Sequence, residues 1–199
     1  HACSTSYIVY QLLEALAGTD AIDQAMAESL YVGIMTDTGN FSFSSLTSDL
    51  FRAVAVLIDK GVNVPYVNSS VYNNFSEGRM RLLGYMLNDK MVTDYEFGVA
   101  YVSLTEEEMR RFDFIQGDSE GFVNYPLSIR GIRMSAMFIQ TKHSIRVSLR
   151  SRGEVDVNVF ARRYFDGGGH RNAAGGKSYV PMNETLENFR KYLREYFGA

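Results

Sequence analysis

Residues 132–150 read IRMSAMFIQTKHSIRVSLR, and the organisation of the second half of the chain follows from their spacing. Two apolar runs, IRMSAMFIQ and SIRVSLR, flank the polar TKH, which is the pattern of two paired strands joined by a turn. In the second run Ile145, Val147 and Leu149 alternate with Arg146, Ser148 and Arg150, and Arg152 continues the polar series. One face of that strand is therefore apolar and the other carries three guanidinium groups. Like charges on one side of a strand repel. An anion between them relieves the repulsion, because the arginine fork matches phosphate geometry; screening by solvent and surface carboxylates is the plainer alternative.

Downstream, VNVFARRYF reads as a short helix stopped by Gly167, Gly168 and Gly169. Those glycines open DGGGHRNAAGG, Asp166 to Gly176, in which five glycines and two alanines surround His170 and Asn172. Glycines let backbone N–H groups approach a ligand and adopt positive φ, so this stretch is expected to be a loop cradling phosphate oxygens, with His170 as a donor at its rim. A tight structural loop with a satisfied histidine is the alternative. Asn183 is expected to cap a last amphipathic helix carrying Leu186, Phe189, Leu193 and Phe197.

Upstream, Phe97, Val99 and Tyr101 alternate with Gly98, Ala100 and Val102, a period-two strand pattern, and a second domain is expected to start near Met91. Thr105 and Glu108 form a T-x-x-E capping box for the helix TEEEMRRF. Before it, a linker helix is expected over Glu77 to Asn88, and another from Ser48 to a stop at Gly61. Ser4, Thr5 and Ser6 offer caps for a helix with Ile8, Val9, Leu12, Leu13 and Leu16 at helical spacing, closed by Gly18. Asp20 is expected to cap the next, whose Ile22, Met26, Leu30 and Ile34 repeat on one face before TDTGN. That places Asp37 in a loop just past an apolar element, where a carboxylate suits a hard divalent cation; an Asx turn would look the same. The first lobe thus offers apolar helix faces of the kind that cover a parallel sheet, yet few strands of its own.

The 199 residues, 46% hydrophobic and 22% charged, suit a globular protein with one large core or two small ones. No stretch approaches the roughly 20 apolar residues of a membrane helix, and no signal-peptide pattern opens the chain, so a cytoplasmic setting without a membrane partner is the expectation. Cys3 has no second cysteine for a disulfide or a thiolate metal site and is expected to be a buried bystander. The net charge of −3 argues against an anionic partner, but its distribution does not: residues 130–199 hold 13 Lys/Arg against 6 Asp/Glu.

Taken in order and spacing, GIMTDTGNF, SLRS and GGGHRNAAGG make the whole chain resemble the DHH family of phosphoesterases with its DHH-associated C-terminal domain. The layout is similar to the bacterial oligoribonuclease branch that also dephosphorylates 3'-phosphoadenosine 5'-phosphate. The resemblance implies an α/β fold of two lobes: a truncated doubly wound DHH domain over 1–75, a linker helix over 76–90, and a smaller mixed-sheet substrate-binding domain over 91–199. It implies Asp37 as a metal ligand, and Ser148, Arg150, Gly167, Gly168, Gly169, His170 and, less directly, Asn172 as contacts to substrate.

The cofactor implied is a pair of Mn²⁺ ions, with Mg²⁺ as the substitute, and the ligand is short single-stranded RNA or a small nucleotide phosphate. In such sites two metals about 3.5–4 Å apart activate a hydroxide, and the C-terminal domain grips the terminal nucleotide so that the scissile bond falls between the lobes. The aspartate-rich segment and Asp-His-His triplet that name the family have no counterpart here, and His1 carries no role. The expectation is therefore a chain that keeps the recognition half and does not turn over alone, since one carboxylate does not hold two metals. Three readings compete: a cyclic dinucleotide phosphodiesterase, a non-catalytic nucleotide- or RNA-binding module, and, last, a polyphosphate hydrolase.

Overall fold

The computed structural model describes residues 4–42 and 46–198. His1 and Cys3 lie outside the described residues, and with them the expectation of a buried Cys3. The chain divides into two compact units, His1–Asn74 and Phe75–Ala199.

The described residues of the first unit are helical, with no strand among them. Helices α1 (Thr5–Ala17), α2 (Gln24–Asp37), α3 (Ser48–Asp59) and α4 (Val64–Tyr72) each start at a polar cap, Ser4, Asp23, Thr47 and Asn63 respectively, whose side chain accepts a backbone N–H of the first turn. The cap of α2 is Asp23 and not Asp20, which sits in a 3₁₀ turn and pairs with Lys60. Helix α4 escapes a reading based on apolar spacing, because it buries only Val67; its mark is Asn63 followed by Pro65 in the first turn. Leu30, Tyr31, Ile34 and Met35 of α2 pack on Leu50, Val54 and Leu57 of α3. From α1 it is Tyr7 and Tyr10 that enter this core, whereas the aliphatic stripe Ile8, Val9, Leu12 and Leu16 is exposed.

The second unit opens with α5 (Glu77–Tyr85), which runs on as a π-helical turn over Met86–Lys90. A six-stranded mixed sheet follows, in the order β1 (Val92–Asp94), β2 (Val99–Leu104), β3 (Met134–Gln140), β4 (Ile145–Ser151), β6 (Ala173–Ser178), β5 (Gly168–His170). Only β2 and β3 are parallel; α6 (Glu106–Arg110) and a 3₁₀ segment, Phe122–Ser128, form the crossover between them. The alternation in β2 understates its burial: Val99, Ala100, Tyr101 and Val102 are all buried, as in a strand covered on both faces.

One face of the sheet packs on α7 (Val157–Tyr164) and α8 (Met182–Phe197), where Tyr101, Phe138 and Leu149 meet Phe160, Phe165, Phe189 and Leu193. Edge-on ring pairs such as Phe138–Phe189, with centroids 5.0 Å apart, fill this layer. The opposite face of β2 and β3 is covered by Leu82 and Met86, Met109 of α6, and Phe122 and Val123 of the 3₁₀ segment. The 3₁₀ segment reaches over β4 as well, but Arg146 and Lys177 stay exposed and Ser148, Arg150, Ala173 and Gly175 only half-buried, so the outer face of β4 and β6 is partly open.

Two further expectations need correction. Helix α7 ends at Tyr164, before the glycines, and the turn is made by Asp166 with φ of 44°. Helix α8 is entered through Pro181 without a side-chain cap, so Asn183 lies inside its first turn.

Candidate functional site

Along β4 the burial alternates as the sequence requires: Ile145, Val147 and Leu149 are buried, Arg146 is exposed, and Ser148 and Arg150 are half-buried. On β6 their register partners are Lys177, Gly175 and Ala173. Direct partners point to one face, so Arg146, Ser148, Arg150 and Lys177 share the open face with two residues that have little or no side chain. Ser148 lies midway between the arginines, roughly 7 Å along the strand from each, and Gly175 beside it leaves the floor clear. His170 of β5, exposed, pairs with Ala173 and extends the row of Arg150.

Among the described residues none of Arg146, Ser148, Arg150, Arg152, Lys177 or His170 takes part in an ion pair. Among the described residues Arg150 donates only to the carbonyl oxygen of Leu149, at 2.9 Å. Burial pulls its guanidinium below the ordinary arginine value, while the charge of Glu120 pushes the other way. A half-desolvated cation without a carboxylate partner is costly unless a ligand supplies the anion.

The glycine-rich stretch is not a free loop. Gly168–His170 and Ala173–Ser178 form an antiparallel hairpin turned by Arg171 and Asn172. A methyl group at Gly169 would meet Ala173 O at 2.6 Å and Ala174 Cα at 2.7 Å, and one at Gly167 would strike Gly175 and Gly176. These two glycines serve close approach of the two strands, whereas Gly168 has room, its nearest neighbours being Asn158 and Arg162 at 3.4 and 3.5 Å. The N–H of Gly169 is given to Asn158 Oδ1 of α7 at 2.9 Å, so it is not part of an anion cradle. Asn172 also faces the framework: its Nδ2 donates to Ser151 Oγ at 2.9 Å and approaches the carbonyl oxygens of Gly153 and Val155.

The 118–123 segment closes one side of the open face, and sequence reasoning gave no sign of it. Arg146 Nη2 donates to the buried Ser119 Oγ at 2.9 Å. Arg79 of α5, itself buried, donates to the carbonyl oxygens of Asp118 and of Glu120, the latter at 2.9 Å. Its guanidinium also stacks on Phe75 and Phe122, 4.1 and 4.8 Å from the ring centroids. The available signal was an arginine embedded in the apolar spacing of a helix.

Asp37, in the other unit, is the last residue of α2 and not a loop residue. It is exposed, and its Oδ2 accepts a hydrogen bond from Ser4 Oγ at 2.7 Å. A carboxylate at a helix C-terminus meets the negative end of the helix dipole, a position that favours a cation nearby. Among the described residues no group of three or more His, Cys, Asp or Glu side chains is arranged to hold a metal. No helix among the described residues is long and apolar enough to cross a membrane.

Comparison with known proteins shows the family. The DHHA1 domain model matches residues 95–199, which contain the whole of the open face. The bifunctional oligoribonuclease and PAP phosphatase NrnA of Bacillus subtilis (strain 168) is 30% identical over 182 residues, which are 89% of this chain and 56% of that protein. The cyclic-di-AMP phosphodiesterase GdpP of the same organism is 29% identical over 99% of this chain and 29% of its own length. The crystal structure of an exopolyphosphatase-related protein from Bacteroides fragilis superposes with a TM-score of 0.94 at 39% identity, covering 98% of this chain and 57% of that one. The chain spans about half the length of the NrnA relative and of this solved neighbour. The chain belongs to the DHH family of phosphoesterases, with a DHHA1 domain over residues 95–199.

Proposed function

We propose that this chain is the substrate-gripping part of a phosphoesterase that hydrolyses short oligoribonucleotides, 3'-phosphoadenosine 5'-phosphate, or both, in a cytoplasmic setting. The observation that carries the reading is the pair Arg146 and Arg150 flanking Ser148 on an open face, with no carboxylate paired to either. In this reading a phosphate lies over Ser148 and Gly175, takes guanidinium donors from both sides, and is reached from the rim by His170 and Lys177. Gly167, Gly168 and Gly169 shape the hairpin that carries His170, and Asn172 fixes its turn. The relatives' activities on oligoribonucleotide and nucleotide phosphates support this class of ligand.

In this reading hydrolysis by the intact protein uses Mn²⁺, with Mg²⁺ as a substitute, and Asp37 would supply one hard oxygen to it. One carboxylate does not hold two ions, so the proposal includes that the described residues bind and orient substrate without completing the catalytic centre. Domain limits of 1–75, 76–90 and 91–199 for the catalytic remainder, the linker helix and the substrate domain belong to the same proposal.

The test is incubation of the 199-residue chain with Mn²⁺ and either 3'-phosphoadenosine 5'-phosphate or a short oligoribonucleotide, with products followed by chromatography. Binding without turnover is expected. Robust turnover would overturn the claim that the centre is incomplete, and absence of binding would overturn the claim about the open face. The relative acting on cyclic-di-AMP gives a second reading, a cyclic dinucleotide as substrate, and the same assay with that ligand separates the two.

A further inference from the structure

The 118–123 segment is anchored at both ends over the open face. At one end Ser119 Oγ takes the hydrogen bond from Arg146 Nη2 at 2.9 Å. At the other, the carbonyl oxygen of Val123 accepts from Ser135 Oγ, and Ser135 is the cross-strand partner of Arg150. Residues 120–122 therefore cross from the row of Arg146 towards the row of Arg150, and Glu120 is the charged side chain on that path. Phe122 is fully buried and Arg79 holds the Glu120 carbonyl, so the backbone at this point is fixed from beneath.

Glu120 itself is exposed, and its carboxylate makes no hydrogen bond or ion pair with any described residue. It lies within electrostatic reach of Arg150 without pairing with it. Two opposite charges held near each other by separate scaffolds, each lacking a side-chain partner, leave an opening for a ligand with an anionic oxygen on one side and a hydroxyl donor on the other. A nucleotide in which a sugar hydroxyl neighbours a phosphate has that pattern. A ligand carrying a second phosphate at the hydroxyl position would instead meet the carboxylate's negative charge.

We propose that Glu120 is the specificity residue of this face: it accepts a hydrogen bond from the ribose 2'-hydroxyl adjacent to the phosphate held at Arg150, and so selects ribonucleotides over deoxyribonucleotides. The inference rests on the phosphate-binding reading given above. Arg79 is the positioning residue, acting through the segment and touching no ligand.

The experiment is calorimetric titration of adenosine 3'-monophosphate, its 2'-deoxy analogue and inorganic phosphate into the full chain and its Glu120→Ala, Glu120→Gln and Arg150→Ala variants. The wild type is expected to prefer the ribonucleotide about tenfold, the scale of a hydrogen bond to a charged acceptor. Glu120→Ala should bring that ratio close to one while inorganic phosphate binds more tightly, since a negative charge has gone. Glu120→Gln, which keeps an acceptor without the charge, should retain part of the preference and share the gain in phosphate affinity. A wild-type ratio of one, or a ratio unchanged in Glu120→Ala, overturns the role of Glu120 and leaves the phosphate site standing. Equal binding of all ligands by wild type and Arg150→Ala, or no binding by the wild type, overturns the phosphate site and Glu120 with it.

Discussion

Lys90 Nζ donates to Glu108 Oε1 at 2.5 Å, joining the end of the π-helical turn to the first turn of α6. Tyr85 OH donates to the same oxygen at 2.8 Å, and Oε2 closes the capping box on the Thr105 N–H. Burial alone would raise the Glu108 carboxyl, but the donors from Lys90, the Thr105 backbone and Tyr85 outweigh it and hold it at about 2. A depressed carboxylate stabilises the fold fully above its ordinary value of 4.5 and loses that contribution as pH falls towards about 2. Glu108→Gln should therefore cost up to about 3 kcal/mol near neutral pH and progressively less between pH 4.5 and 2. Urea midpoints measured at several pH values check this; a constant difference across the acid range contradicts it.

The hairpin glycines are not equivalent. Gly169→Ala forces a methyl group onto Ala173 and Ala174, and Gly167→Ala onto Gly175 and Gly176, while Gly168→Ala meets only ordinary contacts. The first two substitutions should each cost about 1–3 kcal/mol, and the third about 1 kcal/mol or less. Thermal melts of the three variants give the ranking directly.

His170 and Asn172 should part ways in the same kind of experiment. Asn172→Ala removes the hydrogen bond to Ser151 and should lower stability by about 1–2 kcal/mol. His170→Ala removes an exposed side chain and should leave the melting midpoint unchanged while weakening nucleotide binding. A reversed pattern would return Asn172 to the ligand.

These positions also mark what the sequence could carry. The Thr105–Glu108 capping box and the two-faced alternation of Ile145 to Arg150 are local patterns, and both are present in the structure. The GGGH stretch read as a loop because glycine has low strand propensity; its pairing with Ala173–Ser178 comes from the ladder and from Asn158, neither of which is local. The 118–123 segment was illegible for the same reason, since its place depends on Arg79, some 40 residues earlier. Asp20 and Asn183 offered cap chemistry where Asp23 and Pro181 took the position, as cap-forming residue types often occur within a few residues of each other.

Asp37 gives a test of the metal assignment. Removing its charge from the C-terminus of α2 should stabilise that helix by about 0.3–1 kcal/mol in the absence of divalent ions. With millimolar Mn²⁺ the wild type should gain stability and Asp37→Asn should not, by thermal melts with and without EDTA. Equal responses of the two proteins would remove Asp37 from the metal site.

The central claim is that the open face of β4 and β6 binds phosphate through Arg150, and calorimetric titration of a 5'-phosphorylated diribonucleotide into the wild type and Arg150→Ala tests it most directly. The account predicts at least about a tenfold weaker complex for the variant, with circular dichroism and melting midpoint unchanged or slightly improved because a half-buried unpaired cation has been removed. Equal affinity of the two proteins for the dinucleotide would contradict it.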